Sequence, residues 1–450
     1  MYIQEYVFYG ILLFLVVRYL YICIKYPFWA HMPVYHTYDY HNFFSRSSRE
    51  MQLFPYKNKF SNAIQIKTIS YYELNDIYIK YFAELLQCFY IPADDFLYTI
   101  VEKDVKARFS GHFDTPFLSF YNEKNYVSTG KSSEKPFDIL STHVEIQLFP
   151  EPKGCIASYP VRTFYHPANE YKCANYLTYI SVDRAYKSQN LSRNLISTHD
   201  YNVRRHNPDV RVGLLKKEVG VCEGAVPLLT FSTGLFQINV SKIKQRVRNI
   251  MEVYRQNWDI LFDTLHGLFK PNVLYDLVIS IDIGAIKSRI DGEILFVYAF
   301  CEKGNVLAMY FIEDAHTLYE KGGFASDQKG GEASDQKGSF ASDQKGGFAS
   351  DQKGASKKAP SIPTKKGLRL VASINNGLTS ELFFQGFIEC MRKLQKRNLD
   401  FKILLIDNIG HNKTIYQMMD GLVETTAGAY YFINWMFPHK IPREKAFIMV

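Results

Sequence analysis

The chain opens on an apolar run. Tyr6 to Ile24 is broken only by Arg18, and as a helix it is about one bilayer core long. Residues 30–70 are irregular and aromatic-rich. Helical spacing appears at Tyr72–Cys88, where Leu74, Ile77, Ile79, Phe82, Leu85 and Leu86 recur on one side. From Gly154 the pattern suits strands. Gly154–Tyr165 and a strand ending at Val182 flank a turn at Pro167-Ala168-Asn169-Glu170, which predicts a hairpin. Tyr176–Val182 is β-rich and nearly free of charge, so it suits a buried strand. A polar loop (Asp183–Gln189), an amphipathic helix (Asn190–Arg205) with Leu191, Leu195 and Thr198 on one face, and a strand (Asp209–Leu215) follow.

The same order returns downstream. A long helix is expected over Ser241–Phe269. Next come a hairpin, Ile294–Phe300 and Val306–Ile312, turned by Lys303-Gly304-Asn305, then the strand Leu368–Ile374, the helix Ser380–Arg397 and the strand Phe401–Ile406. Helix, hairpin, strand, helix, strand occurring twice predicts a duplicated mixed α/β unit. The division is 1–25 as an anchor, 26–235 as a first lobe and 236–450 as a second. Within the second, residues 321–366 form a polar insertion in which Ala-Ser-Asp-Gln-Lys-Gly begins at Ala325, Ala333, Ala341 and Ala349. Such a segment cannot bury enough apolar surface to offset its ordering, so disorder is expected.

Composition narrows the class. With 47% hydrophobic and 22% charged residues the chain is globular. A net charge of +8 favours an anionic partner, whether CoA, lipid or nucleic acid. Without zinc-finger spacing, an RNA-binding aromatic motif or a long Lys/Arg block, nucleic acid is the weakest of these. Seven scattered cysteines without Cys-x-x-Cys suggest reduced, buried thiols in a cytosolic setting. No small-residue cleavage site follows the apolar run, Arg18 can snorkel, and Glu5 before and Lys25 after it place the body on the cytosolic side of a single-pass anchor. A buried or surface-lying helix also fits the run. Glycans on the sequons at Asn190, Asn239 or Asn412 would reverse that topology. His31, His36 and His41 lack a completing carboxylate or cysteine for a metal site. His199-Asp200 lacks a nucleophile elbow, and Cys222 has no evident base.

Where Val182 gives way to Arg184-Ala185-Tyr186-Lys187-Ser188-Gln189-Asn190, cations and small polar residues open a helix, whose N-terminal N–H groups favour phosphate. Any βαβ crossover with a basic loop shows this too. A strand, a phosphate-cradling turn and a helix beside a second strand is also how GNAT-type acyltransferases hold acyl-CoA. Further segments resemble eukaryotic-type N-myristoyltransferases. Tyr26-Pro27-Phe28-Trp29-Ala30-His31-Met32-Pro33-Val34 is similar to that family's Tyr-Lys-Phe-Trp-x-x-Gln-Pro-Val. Gly154-Cys155-Ile156 and Thr178-Tyr179-Ile180-Ser181-Val182 stand where it has Gly-Phe-Ile and Asn-Phe-Leu-Cys-Val. Asn412-Lys413-Thr414, Tyr430-Tyr431-Phe432-Ile433-Asn434-Trp435 and the final Glu444–Val450 are similar to its late segments, in the same order.

The resemblance implies a duplicated GNAT-like fold, one continuous mixed sheet over two lobes, acting as a monomer. It implies transfer of a myristoyl-type group from acyl-CoA to a protein N-terminal glycine amine, with acyl-CoA as co-substrate and no permanent cofactor. Lys187, Ser188, Gln189, Asn190, Leu191 and Ser192 would hold the CoA phosphates, largely through backbone N–H groups. Tyr26, Phe28 and Trp29 would cover the CoA; as aromatics after an anchor they also suit a membrane interface. The N–H groups of Tyr179 and Ile180 would form the oxyanion hole, and the α-carboxylate of Val450 would be the general base. Two departures fall on the acceptor side. Phe96–Asp104 lacks the family's Phe-x-Phe-Asp-Tyr-Ser, and Thr426-Ala427-Gly428 replaces Gly-Asp-Gly. A GNAT-type transferase acting on another amine, and a non-catalytic membrane scaffold of the same fold, therefore stay open.

Overall fold

The computed structural model describes residues 2–40, 47–91, 96–123, 151–238, 247–270, 274–319, 365–397 and 401–450. The first half runs α1 (Tyr2–Lys25), α2 (Pro27–His31), β1 (Arg49–Glu50), β2 (Ile66–Ser70), α3 (Asp76–Phe89), β3 (Phe96–Tyr98), α4 (Glu102–Phe109), β4 (Phe117–Tyr121), β5 (Gly154–Tyr165), β6 (Glu170–Val182), α5 (Leu191–His206), β7 (Val212–Lys217) and β8 (Leu229–Gln237). The second runs β9 (Ile250–Val253), α6 (Trp258–Leu268), β10 (Leu277–Ser280), α7 (Ile283–Asp291), β11 (Leu295–Glu302), β12 (Asn305–Tyr319), β13 (Lys365–Asn375), α8 (Ser380–Lys396), β14 (Phe401–Asp407), α9 (Asn412–Met418), β15 (Leu422–Ile433), β16 (Trp435–Met436) and β17 (Ala446–Met449).

Two parallel strand pairs anchor the architecture. β6 pairs β7 in parallel across α5, and β13 pairs β14 in parallel across α8. Each pair is preceded by an antiparallel hairpin, β5–β6 or β11–β12. This is the duplicated mixed α/β unit. Among the described residues one fifteen-stranded mixed sheet spans both halves: twelve strands follow the path β17-β10-β5-β6-β7-β15-β8-β14-β13-β12-β11-β9, β4 and then β2 branch from β5, and β3 pairs β12. β7 joins β15, while β8 crosses to pair β14 and β15, and β10, with β17 on its other edge, crosses to pair β5. The sheet curls enough for Phe447 of β17 to reach Phe311 of β12, ring centroids 6.3 Å apart.

Local chemistry explains several boundaries. Lys303 (φ 49°) and Gly304 (φ 82°) supply the left-handed turn of the β11–β12 hairpin. Thr379 caps α8 by accepting from the Leu382 N–H. Asn75 caps α3 the same way, so the helix expected from Tyr72 starts at Asp76 after a 3-10 turn over Tyr71–Glu73.

Other expectations are corrected. The helix expected over Ser241–Phe269 is α6 alone, Trp258–Leu268, because Ile250–Val253 instead forms the edge strand β9 against β11. Ile250 and Val253 are buried there, and the Asn257 side chain accepts from the Tyr254 N–H just before the helix starts. Residues 241–246 and Asn239 lie outside the described residues. So does most of the polar insertion, 321–364; its expected last residues, Lys365 and Lys366, are the start of β13, with Lys365 opposite Tyr319. The loop expected at Asp183–Gln189 is a 3-10 helix over Arg184–Gln189. Cys155, Cys222 and Cys390 are buried and the described cysteines are free thiols, but Cys88 is exposed. Among the described residues no cluster of His, Cys, Asp and Glu could hold a metal.

Candidate active site at a strand bulge

β5 and β6 lose register at one place. Cys155 faces Ser181 and Ala157 faces Thr178, so Ile156 stands opposite both Tyr179 and Ile180. Tyr179 takes φ 55°, a left-handed conformation unusual for an aromatic residue. Its ring is held by Phe82, Tyr90 and Phe109, centroids 5.9, 5.5 and 6.2 Å away. A bulge leaves the extra residue out of the ladder and re-aims its backbone groups. Tyr179 belongs to the main core cluster, whereas Ile180 packs against a second one.

On its other side β6 pairs β7 only from Ala174 to Leu177. The strands part just before the bulge, and a cavity of about 550 Å³ occupies the gap, lined by Thr178, Tyr179, Ile180, Lys216, Lys217 and Glu424 among others. Burial pushes the Tyr179 hydroxyl up to about 12, so it is a neutral wall of that cavity.

The second cluster gathers residues from distant parts of the sequence. Phe28, Trp29, Ile180 and Leu191 all pack within it. Phe28 is a buried core residue whose ring meets Phe60 edge-on at 5.3 Å, while Trp29 stacks on Tyr431 at 6.2 Å. The Tyr26 hydroxyl turns to the Glu223 carboxylate. Asn190 is left-handed (φ 56°) at the N-cap of α5, so the helix expected from Asn190 starts at Leu191. The Leu191 side chain is core, but its N–H and that of Ser192 precede the first bonds of the helix, which run to Asn190 O from the N–H groups of Arg193 and Asn194. Gln189, Asn190 and Ser192 are exposed. Lys187 and Ser188 sit on the 3-10 turn, with their side chains outside the described residues.

Val450 follows β17, half-buried against the core that holds Tyr179. Through the ladder Met449 faces Ser280, which faces Arg162, six positions along β5 from Ile156. Val450 and the bulge thus share a core, reached from opposite stretches of β5.

Sequence reasoning missed two ionic groups beside the bulge. Lys216 Nζ and Arg369 Nη2 both bond Asp407 Oδ2, at 2.8 and 2.9 Å, and Thr233 donates to Oδ1 at 2.6 Å. Burial pushes the Asp407 carboxyl up, but Lys216 and Arg369 outweigh it and hold it well below the carboxylate range. Behind Tyr179, Arg108 pairs with Glu313 at 2.6 Å and Arg289 approaches the same oxygen at 3.9 Å, all three buried. The Lys216-Lys217 doublet ending a buried strand was the one available signal.

The bulge, at the point where two parallel strands part, thus lies in a mixed α/β unit that occurs twice along one GNAT-like continuous sheet. The chain is similar in particular to Saccharomyces cerevisiae N-myristoyltransferase. One structure of that enzyme with bound myristoyl-CoA gives a TM-score of 0.62 at 8% identity, over 94% of this chain and 93% of that one. Another, with bound myristoyl-CoA and inhibitors, gives 0.60 at 9%, over 94% and 95%. At this identity the likeness is one of fold. No protein-family model and no curated protein sequence matches the chain.

Proposed function

We propose that this chain transfers a long-chain acyl group from acyl-CoA to the amine of a protein N-terminal glycine. The observation that carries the reading is the Tyr179–Ile180 bulge, with φ 55° at Tyr179, opening on a cavity between parting parallel strands. The CoA phosphates would dock at the turn from Lys187 to Ser192, where the N–H groups of Leu191 and Ser192 and the positive end of α5 favour anions. Trp29 and Tyr26 would border that side.

In the transfer, the amine nitrogen adds to the thioester carbonyl carbon. The carbonyl electron pair moves onto oxygen, beneath the N–H groups of Tyr179 and Ile180, and is stabilised there. Collapse restores the carbonyl and breaks the C–S bond, and the proton that the attacking nitrogen gives up passes to the departing sulfur, which leaves as the CoA thiol. The ammonium must first lose a proton, for which the Val450 α-carboxylate is the proposed acceptor. A free α-carboxyl near ~3.5 and an α-amine near ~8 make that transfer uphill by about 6 kcal/mol. Burial raises the first value and lowers the second, so an apolar setting such as Ala446–Met449 narrows the gap.

Isothermal titration with acyl-CoAs of increasing chain length tests the donor. Tighter binding of myristoyl-CoA than of acetyl-CoA supports the reading. Preference for acetyl-CoA favours a GNAT-type transferase acting on another amine.

A further inference from the structure

Gln4–Lys25 is, among the described residues, the helix long and apolar enough to cross a membrane. Its exposed residues include Phe8, Leu12, Phe14, Val17 and Leu20, so it is apolar all round. A helix of that kind without a protein covering belongs in hydrocarbon. Its last turns are not free, however. Ile22 is only 6% exposed. It lies against Gly224, where φ is +92° and an added Cβ would meet Ile22 Cγ2 at 2.8 Å. One turn on, Tyr26 bonds Glu223 on the same loop. One turn back, Tyr19 meets Tyr38 edge-on at 5.0 Å.

These contacts fix a depth. Lys25, with Tyr21 and Tyr26 around its ammonium, ends the helix as a headgroup-level cation and aromatic belt would. Measured back from it, Ile22 lies about 4.5 Å and Tyr19 about 9 Å toward the hydrocarbon. A loop that covers Ile22 must reach the same level. Loop 218–224 does so, and it carries Val219 and Val221 at 71% and 45% exposure. Lys217 Nζ closes the loop by donating to Val221 O at 3.0 Å. Val219 also lines the cavity at the bulge.

We propose that loop 218–224 contacts the bilayer that α1 enters, with Val219 and Val221 in its interfacial layer, so that the cavity at the Tyr179–Ile180 bulge opens at the lipid surface. An acyl donor already partitioned into that surface would then reach the site without its chain crossing water. The inference rests on α1 lying in lipid, not on the transfer reaction.

The test uses the full chain in vesicles of phosphatidylcholine brominated at acyl carbons 6 and 7, compared with unbrominated vesicles. Tryptophans added singly at Phe14→Trp, Val219→Trp and Phe262→Trp are read as emission in excess of the wild-type chain. Phe262 is exposed on α6. Loss of the added emission in brominated lipid at positions 14 and 219, and none at 262, is the expected result. Unquenched emission at 219 overturns the proposal, as does unquenched emission at 14. Equal quenching at 219 and 262 overturns it too, because contact would not be confined to the cavity mouth. None of these readings depends on activity.

Discussion

The guanidinium of Arg108 stands 5.8 Å from the centre of the Tyr179 ring, so the bulge rests on a buried cation. That cation is held by Glu313, which also lies near Arg289. Glu313→Leu leaves both arginines without their carboxylate and is expected to cost about 3–5 kcal/mol, as a lower urea midpoint. Arg108→Leu, which leaves Arg289 near that carboxylate, should cost less. Equal midpoints for wild type and Glu313→Leu would show that the group is not sealed from water.

The backbone at Tyr179 can be tested apart from its ring. Tyr179→Asn and Tyr179→Val both delete the ring, but asparagine tolerates the left-handed region and a β-branched residue does not. The valine variant should be about 1–2 kcal/mol less stable than the asparagine variant. It should also lose more acyl-CoA affinity by titration. Equal losses would mean that φ 55° is not what shapes the site.

A carboxylate at Val450 is a requirement of the proposed proton transfer. Two alanines added after Val450 move it by about 7 Å if extended. Circular dichroism and the urea midpoint should be unchanged while turnover is lost. Full turnover in the extended chain rules out this base.

Buried histidines predict the acid response. Burial holds His199 at about 3, while His112 (burial, then Arg289) and His411 (burial, then Lys445) sit at about 4. These folded values lie below the unfolded value of about 6.5, so on acidification the unfolded chain binds the extra proton first. Their contribution is complete above about pH 6.5 and falls by about 1.4 kcal/mol per pH unit for each histidine as pH drops toward the folded values. The urea midpoint should fall between pH 7 and pH 5, and His199→Gln should make that fall shallower. A midpoint independent of pH over this range contradicts neutral burial.

Much of the fold was legible because its signals are local. The charge-free run before Val182, the Lys303-Gly304-Asn305 turn and the capped helix at Ser380 each announce themselves within a few residues. Ile250–Val253 did not, because a four-residue edge strand shows no period of its own and owes its form to β11. The bulge was invisible for a related reason. No glycine marks φ 55° at Tyr179; Ile156 and the surrounding rings impose it. Lys216 and Asp407 meet across 191 positions, beyond the reach of any spacing rule. Leu191 and Phe28, expected at the CoA site, both turn their side chains into the core.

Transfer to glycine is tested by mass spectrometry of a peptide with a free N-terminal glycine, incubated with the full chain and myristoyl-CoA, beside the same peptide N-acetylated. Such transfer puts one myristoyl mass on the free glycine amine and none on the blocked peptide, and releases free CoA. Binding of myristoyl-CoA with neither peptide modified would contradict it and leave a fold that holds the donor without transferring it.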